Sequence, residues 1–392
     1  MRTVVTALLT SLLLASPLAA QRIKLPVKLD ELERRAVADS NDAAAHYNVA
    51  LGYWNEKRYD DAKARFEEAL ALDPQFAAAY LALAYLPFAR RPALWGEASL
   101  NKVPDEWKDA LTESDRMYRR AFLIDPLVDL RIVGATLPRK NLYWVQSAYG
   151  SRVYQILYQG FDDFLQGDYD NAYKSLNRLV VQLDIADPED VPTNILWYRG
   201  LAAGHTERFD KAQVDLEELY ERSLEWEESQ DELIHIPLRT NDYRYMLAAI
   251  QERSGHADEA IRMYQEVLEN DIGNYMAHVR MAEMYEASGM LAEALVERER
   301  AVAANPDDSS LLIDMGITLG KMQKWSECER ALRDAARGNP RDSRALYYLG
   351  IVQMQTGELA AARESFDTFL SLAPSRYEPQ IQDAERRLDA LR

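Results

Sequence analysis

The residues of this 392-residue chain that could act as acids, bases or nucleophiles are few and scattered. It has five histidines, spread over helical patterns, turns and one long connection: His46, His278, His205, His256 and His235. A catalytic histidine needs a nucleophile, a metal or a second base within reach. The sequence contains no HExxH, paired CxxC, GxSxG or Walker-type motif. We therefore predict packing and turn roles for these histidines and no catalytic residue, so the chain is not expected to be an enzyme.

A single cysteine and one acidic run are the other candidates for chemistry. Cys328 occupies a place where alanine recurs elsewhere in the chain, which predicts a small packing residue rather than a nucleophile. The acidic run lacks the alternating oxygen ligands and the glycine of a calcium loop, so it predicts a solvated helix end. It consists of Glu225, Glu227, Glu228, Asp231 and Glu232. We predict no metal site and no cofactor.

Residues 1–20 predict an export signal. Arg2 is followed by the apolar run Val4–Ala15, and small residues, Ala19 and Ala20, precede the expected cut after Ala20. The run is about 12 residues long, shorter than the roughly 20 that span a bilayer. An uncut membrane anchor is the alternative. We predict a secreted or periplasmic protein with no integral membrane segment once the signal is removed.

The composition limits the class of partner. A formal net charge of -18 repels phosphate backbones, so no nucleic acid partner is expected. With 48% hydrophobic residues, the chain has enough apolar side chains for a continuous core. A lone cysteine allows no intramolecular disulfide, so stability must come from helix packing.

The elements that hold these residues repeat every 34 positions. Pro306, Pro340 and Pro374 each close a helical pattern at that interval. A period of this length is typical of helix-turn-helix units that bury their apolar faces only by stacking. Pairs of small residues 12 apart would let the two helices of each unit approach closely. They are Gly160 with Ala172, Gly200 with Ala212, Ala248 with Ala260, Ala282 with Ala294, Gly316 with Cys328, and Gly350 with Ala362.

The first clear unit, Ala43–Phe76, resembles the tetratricopeptide repeat (TPR), and the chain as a whole resembles exported bacterial proteins of that family. Small residues occupy unit positions 8, 20 and 27, large ones positions 4, 7, 11 and 24, and Asp73-Pro74 ends the second helix. Later units begin near Ala77, Val153, Thr193, Asn241, Tyr275, Ser309 and Ser343. The resemblance implies an all-α fold, a right-handed α-solenoid of TPR helix-turn-helix repeats with an irregular insertion, Arg90–Pro104, in the second repeat.

Six segments follow from this frame. Leu127–Arg152 and Glu227–Thr240 fit no unit, while Leu29–Val37 and Pro379–Leu391 predict polar end helices that prevent end-to-end stacking. The segments are 1–20, signal peptide; 21–42, N-terminal half-repeat or cap helix; 43–152, first repeats with the insertion; 153–240, divergent repeats; 241–376, regular repeats; and 377–392, capping helix.

The resemblance also implies where a ligand binds, because the first helix of each TPR unit lines the concave face. Unit positions 2, 5, 9, 12 and 13 hold ten aromatic residues that could bind a peptide, an apolar helix or a sugar. They are Tyr47, Trp54, Tyr85, Phe88, Tyr154, Phe161, Phe164, Trp197, Tyr245 and Tyr347. The alternative is that the curvature of the array buries these rings. The family's carboxylate clamp needs Lys and Asn at positions 5 and 9, where the first unit has Tyr47 and Leu51, so chaperone-tail binding is not expected.

The insertion is a second candidate surface. Residues 86–152 hold 11 Lys or Arg against 8 Asp or Glu in an otherwise acidic chain. Basic residues beside tryptophans could bind an acidic or glycan partner; alternatively, the tryptophans anchor a solvent loop. The candidates are Arg90, Arg91, Trp95, Arg139, Lys140 and Trp144.

Together these features predict an exported, non-catalytic TPR scaffold that mediates protein–protein interaction through an aromatic concave groove. Its expected partner is another protein or peptide of the cell envelope. The alternative is a cell-envelope glycan- or solute-binding module that uses the same groove. An enzyme with its site in residues 86–152 is a third hypothesis, but that region lacks a recognisable acid–base pair.

Overall fold

The computed structural model describes residues 23–94, 102–136, 152–229 and 238–391. Within these ranges the chain forms nineteen α-helices and no β-strand. In chain order the helices are α1 (Leu29–Ala38), α2 (Ala43–Asn55), α3 (Tyr59–Leu72), α4 (Ala77–Arg90), α5 (Asp105–Ile124), α6 (Arg131–Thr136), α7 (Arg152–Leu165), α8 (Tyr169–Gln182), α9 (Thr193–His205), α10 (Phe209–Ser229), α11 (Thr240–Arg253), α12 (Ala257–Asn270), α13 (Tyr275–Ala287), α14 (Leu291–Ala304), α15 (Ser310–Lys321), α16 (Trp325–Gly338), α17 (Ser343–Thr356), α18 (Leu359–Leu372) and α19 (Glu378–Ala390).

These helices form hairpins that pack in chain order, which confirms the predicted all-α TPR solenoid class. Helices α2 to α5 make two hairpins and α7 to α18 make six more. The first helix of each hairpin begins within one residue of the start that the 34-residue period predicts. The insertion also agrees, since α4 ends at Arg90 and α5 begins at Asp105. The stretch after α5 contains α6, which contacts α7.

The ends of the hairpins follow from local chemistry. Asp73 ends α3, and its carboxylate accepts a hydrogen bond of 3.0 Å from the backbone N–H of Gln75. Asp125 ends α5 and accepts the equivalent bond of 2.9 Å from Leu127. Each aspartate precedes a proline, which has no N–H and disfavours helical geometry in the residue before it. The recurring Asp-Pro pair therefore ends the second helix of a hairpin in the same way in both repeats.

The close approach of paired helices sets a testable limit on side-chain size. A Cβ atom on Gly350 would lie 2.8 Å from the fully buried ring of Phe366. We expect Gly350→Ala to cost about 1–3 kcal/mol of stability through overpacking, more than the about 1 kcal/mol that alanine contributes to a helix. Gly320→Ala is the matched control, because its Cβ would lie an ordinary 3.5 Å from Cys328 Sγ. Thermal unfolding should show a lower midpoint for the first variant and an equal or higher midpoint for the second; equal shifts would contradict the packing argument.

The described chain divides into two compact units. Unit 1 is formed by the described residues of Tyr80–Val267, with Ile23 and Lys24, and contains the insertion and the divergent repeats. Unit 2 is formed by Leu25–Ala79 together with the described residues of Leu268–Arg392. It therefore combines the first repeat with the last three hairpins. The predicted six-segment division follows the sequence repeat and remains a prediction.

The predicted signal peptide, residues 1–20, lies outside the described residues. Of the helices in the described ranges, none is both long and apolar enough to cross a bilayer.

Candidate interaction surface

The histidines in the described part of the chain have separate structural partners. Arg65 donates to Nδ1 of buried His46 at 3.1 Å, and the other ring nitrogen of His46 donates to a backbone carbonyl. His278 is buried and donates to Glu297 at 2.6 Å. His256 donates to Gln251 at 2.9 Å. These three rings belong to different hairpins, and no two of them converge on one site.

His205 is held differently, by a ring stack at the end of α9. Its ring lies 4.0 Å from that of Tyr169 at an interplanar angle of 6°. Burial lowers the pKa of His205, so the ring is held in its neutral form. The tyrosine hydroxyl donates to Asp129 at 2.8 Å. The fifth histidine, His235, lies outside the described residues.

Cys328 packs inside the hairpin of α15 and α16. Its side chain is buried, and Sγ donates to the carbonyl of Gly316 at 3.0 Å. Burial raises the pKa of the thiol to about 11, so it is protonated at neutral pH. A neutral, enclosed thiol is a poor nucleophile. The geometry agrees with the packing role that the repeat predicts.

The acidic run is only partly described. Glu225, Glu227 and Glu228 are exposed in the last turns of α10, and Asp231 and Glu232 lie outside the described residues. Across the part of the chain that the structure describes, no three His, Cys, Asp or Glu side chains cluster in a way that could hold a metal ion. The predicted absence of a metal and of catalysis remains a prediction for the whole chain.

Four of the ten predicted ligand-binding rings are buried within the hairpins. Trp54 packs against Tyr59 and Phe66 of the adjacent helix. Phe161 and Phe164 both contact the ring of Tyr198, at 4.8 and 5.1 Å. Tyr245 is enclosed by Phe122 and Tyr264, and its hydroxyl donates to the carbonyl of Leu123 at 2.5 Å. Trp54 is 3% exposed, Phe161 7%, Phe164 0% and Tyr245 1%. Their rings serve the core and offer no face to a ligand.

Two further rings of the set are half-buried in unit 2. Tyr47 lies 5.0 Å from Phe76 and 5.5 Å from Phe66. Tyr347 lies 5.2 Å from Phe369, and its hydroxyl donates to Asp383 of α19 at 2.9 Å. This contact ties α17 to the last helix. The side chain of Tyr154 is outside the described residues, although its backbone belongs to α7.

The remaining three rings, Tyr85, Phe88 and Trp197, are half-buried in unit 1 together with two tyrosines that the sequence analysis missed. Tyr118 of α5 and Tyr198 of α9 are also half-buried. We call these five residues the unit 1 aromatic cluster. The rings of Tyr85 and Phe88 lie 5.8 Å apart, and burial, followed by interaction with Tyr118 and Tyr198, raises the pKa of Tyr85. Trp197 joins this set through Tyr243, whose ring lies 6.1 Å from that of Trp197 and whose pKa is raised by burial and also by Tyr118. The sequence analysis missed Tyr118 because unit position 24 is a packing position, and it missed Tyr198 because position 6 is not among the positions assigned to the concave face.

The tyrosines of the unit 1 aromatic cluster are neutral hydrogen-bonding groups. Burial raises the pKa of Tyr118 to about 12 and raises the pKa values of Tyr85 and Tyr198 as well. Their hydroxyls therefore keep their protons at neutral pH. Such phenols cannot act as bases there, but they can donate and accept hydrogen bonds beside an apolar ring face. The cluster has the chemistry of a binding surface rather than of a reaction centre.

The insertion is described only at its edges. Arg90 is exposed at the end of α4, and Nη1 of Arg91 lies 3.5 Å from Glu106. The Arg91 guanidinium also lies 5.9 Å from the centre of the Trp107 ring. Arg91 thus contacts two residues of α5. The other predicted residues of this surface, Trp95, Arg139, Lys140 and Trp144, lie outside the described residues.

Comparison with protein families identifies the repeats. Residues 43–76 match one model of the tetratricopeptide repeat, and residues 245–309 and 313–377 match another. The chain therefore contains tetratricopeptide repeats in these three segments, where the sequence resemblance placed its strongest units. Repeats of this kind indicate a protein–protein interaction scaffold. No curated protein matches the chain significantly.

Several solved structures are similar to the chain at low sequence identity. The C-terminal part of a TPR repeat-containing protein from Cytophaga hutchinsonii is 13% identical, with 57% of this chain and 83% of that chain covered and a TM-score of 0.46. Yeast Tom70 is 12% identical, with 93% and 91% covered and a TM-score of 0.40. MamA from Desulfovibrio magneticus RS-1 is 18% identical, with 52% and 95% covered and a TM-score of 0.33.

Proposed function

We propose that the chain is an exported, non-catalytic TPR scaffold that binds a segment of another cell-envelope protein through the unit 1 aromatic cluster. The observation that carries this proposal is the set of five half-buried rings contributed by α4, α5 and α9. The three phenols among them are neutral, as their raised pKa values indicate. An apolar surface with hydroxyl groups suits a peptide or helix that buries side chains while its polar groups find partners.

Half-buried aromatic side chains are efficient anchors for a partner. Their scaffold neighbours already restrict them, so little side-chain entropy is lost on binding, while the rest of the ring surface remains to be covered. Trp197 illustrates this state: its ring contacts that of fully buried Tyr243 at 6.1 Å, yet the residue stays partly exposed. Tryptophan and tyrosine are the residues that most often dominate binding energy at protein interfaces.

The role of Trp197 can be separated from its contribution to folding. Trp197 and Tyr47 both occupy position 5 of their repeats and are both half-buried. Trp197 lies in compact unit 1, whereas Tyr47 lies in compact unit 2. We expect Trp197→Ala to weaken capture of the partner at least about tenfold, as loss of an interface anchor does. Tyr47→Ala should leave capture unchanged. Thermal unfolding of both variants measures the accompanying loss of stability.

The experiment uses the mature chain recovered from the envelope fraction, whose first residue should be Gln21 if the signal is cut as proposed. This chain and its two variants capture material from envelope extract, and both protein and carbohydrate are quantified. Capture of a protein that Trp197→Ala loses and Tyr47→Ala keeps supports the proposal. Equal loss in both variants, or no loss in either, contradicts the assignment of the surface. Capture of carbohydrate that survives protease treatment would instead favour the glycan-binding alternative.

A further inference from the structure

Unit 2 joins two segments that are separated by 188 residues, 80–267, in the sequence. Residues 25–79 contain the first repeat, and residues 268–391 contain the last repeats. Their contacts lie at the loops and helix ends between repeats. On the N-terminal side the contacting residues are Asp39, Asp42, Glu68, Ala71 and Gln75, which we call the N-terminal edge; opposite them are Ser310, Asn339, Arg341, Ser375 and Arg376, which we call the C-terminal edge.

The two edges are complementary in charge. Arg341 donates to Glu68 at 2.6 Å, and a guanidinium nitrogen of Arg376 lies 3.4 Å from Asp42. Asp39 accepts from the backbone N–H and the hydroxyl of Ser375, at 2.8 and 2.6 Å. The N-terminal edge thus supplies carboxylates, and the C-terminal edge supplies cations and neutral donors.

The C-terminal edge also recognises the end of a helix. The side-chain amide of Asn339 donates at 3.0 Å to the carbonyl of Ala71, in the last turn of α3. Carbonyls in the last turn have no partner within their own helix and carry partial negative charge. Glu68 lies one turn earlier, and its hydrogen bond from Arg341 lowers the pKa of the carboxyl group. A cation and an amide donor together fit a helix C-terminus that bears a carboxylate.

Two of the five residue pairs between the edges are partly exposed ion pairs. The side chains of Arg341 and Glu68 are 40% and 34% exposed, and those of Arg376 and Asp42 are 35% and 20% exposed. Ion pairs of this exposure contribute only about 0–1 kcal/mol each. They weaken further as salt shortens the range of the charges. Salt at ordinary laboratory concentrations should therefore shift the contact between closed and open forms.

We propose that the C-terminal edge is a second interaction surface, specific for a helix end that bears carboxylates, and that the chain's own first repeat occupies it as a salt-sensitive latch. The occupant is residues 25–79. It is held through Glu68 and Ala71 of α3 and through Asp39 and Asp42, which lie between α1 and α2. When the latch opens, Arg341, Arg376 and Asn339 become accessible to an acidic helix of another protein. The latch uses no residue of the unit 1 aromatic cluster.

Distance measurement between the two segments tests the latch. Spin labels are placed at Val37, which is 80% exposed in α1, and at Leu359, which is 51% exposed in α18. The background is Cys328→Ala, because alanine fills the equivalent place in other hairpins. We expect one distance at about 50 mM NaCl and a second, longer population at about 1 M NaCl, where charges are screened within about 3 Å. A distribution that is the same at both concentrations would overturn the proposal.

Charge reversal provides an independent readout of the same distance. Arg341→Glu should populate the long distance at low salt, because it places two carboxylates together. The double variant Glu68→Arg with Arg341→Glu should restore the short distance. Arg337→Glu is the matched control, since Arg337 pairs with Asp334 on its own helix and should leave the latch closed. An unchanged distribution in Arg341→Glu, or failure of the double variant to restore the short distance, would contradict the latch.

Discussion

Replacing Arg298 by methionine is expected to destabilise the protein by about 3 kcal/mol at pH 7.5, the low end of what loss of one partner of a buried ion pair costs. The side chain of Arg298, in α14, is 6% exposed. It lies 3.6 Å from Glu286 and 3.7 Å from Asp314, on the helices before and after it. Methionine retains much of the volume and removes the charge, so both carboxylates lose a buried cation.

Most of that cost should arise at Asp314. Glu286 keeps a hydrogen bond of 2.6 Å from Lys321 and another from the hydroxyl of Thr318, so its charge remains compensated without Arg298. Of the two arginines that lower the pKa of Asp314, Arg298 and Arg344, only Arg344, which acts less strongly, remains in the variant. An uncompensated buried carboxylate is stabilised by taking up a proton, which limits the loss to about the low end of the range.

The Arg298 prediction is tested by denaturant unfolding of two single variants and one double variant. Combining Arg298→Met with Asp314→Asn removes both the cation and the carboxylate that it compensates, so the double variant should regain most of the lost stability. Arg300→Met is the control: Arg300 also pairs with a glutamate of α14, but it is 58% exposed. Its effect should stay within about 0.5 kcal/mol. A double variant as unstable as Arg298→Met would contradict the argument.

The repeat in the sequence is sufficient to identify Arg298 as unusual. It occupies unit position 24, which the TPR pattern fills with a large packing residue. The equivalent residues of the other hairpins are uncharged. Tyr118 is half-buried, and the other six are buried: Phe66, Leu176, Leu216, Tyr264, Leu332 and Phe366. Hairpin boundaries were predictable for the same reason, because helix ends and packing positions both depend on residues within one 34-residue unit. A charged residue in a packing position is a local departure that needs no tertiary structure to detect.

The exposure of the aromatic residues could not be predicted in this way. Tyr47, Trp197, Tyr245 and Tyr347 all occupy unit position 5, yet Tyr245 is 1% exposed and the other three are half-buried. Tyr245 differs because Phe122 of α5 covers it, and the two are more than 100 residues apart in the chain. The same unit position therefore indicates the side of a helix that a ring occupies, but not what lies against it.

Contacts between the edges of unit 2 were also beyond the sequence pattern. Glu68 and Arg341 are ordinary exposed charges when each repeat is read alone. They pair through the tertiary structure of unit 2, which brings together residues 273 apart in the sequence. From the sequence we predicted two polar end helices and made no prediction about a contact between the first and last repeats. The packing within each hairpin was predictable from residue type and spacing. The candidate interaction surfaces depend instead on contacts between hairpins.

Asp314 makes the stability of unit 2 depend on pH in the direction opposite to that of an ordinary surface carboxylate. Burial raises its pKa to about 6, although Arg298 of α14 and Arg344 of α17 act to lower it. Glu283 of α13 and Asp308, before α15, act with burial. The ionised form is therefore less stable in the folded chain than in the unfolded chain, where an aspartate has a pKa near 3.8.

The sign of the effect follows from these two pKa values. Below about pH 3.8 Asp314 is protonated in both the folded and the unfolded chain, so burial carries no penalty. As the pH rises from about 3.8 to about 6, only the unfolded chain releases the proton, and the stability of the folded chain falls. Above about pH 6 the loss of stability is constant. The full penalty is about 3 kcal/mol, at about 1.4 kcal/mol per pH unit between the two pKa values.

Asp314→Asn should thus gain stability relative to the parent protein by about that amount between pH 4 and pH 7.5. Denaturant unfolding at both pH values measures this change, and comparison at equal pH cancels the titration of the other groups, His205 included. Asp367→Asn, at an exposed aspartate of α18, is the control. If the advantage of Asp314→Asn were the same at both pH values, the raised pKa of Asp314 would be wrong, and the contacts of Arg298 with Glu286 and Asp314 would contribute to packing without making unit 2 sensitive to pH.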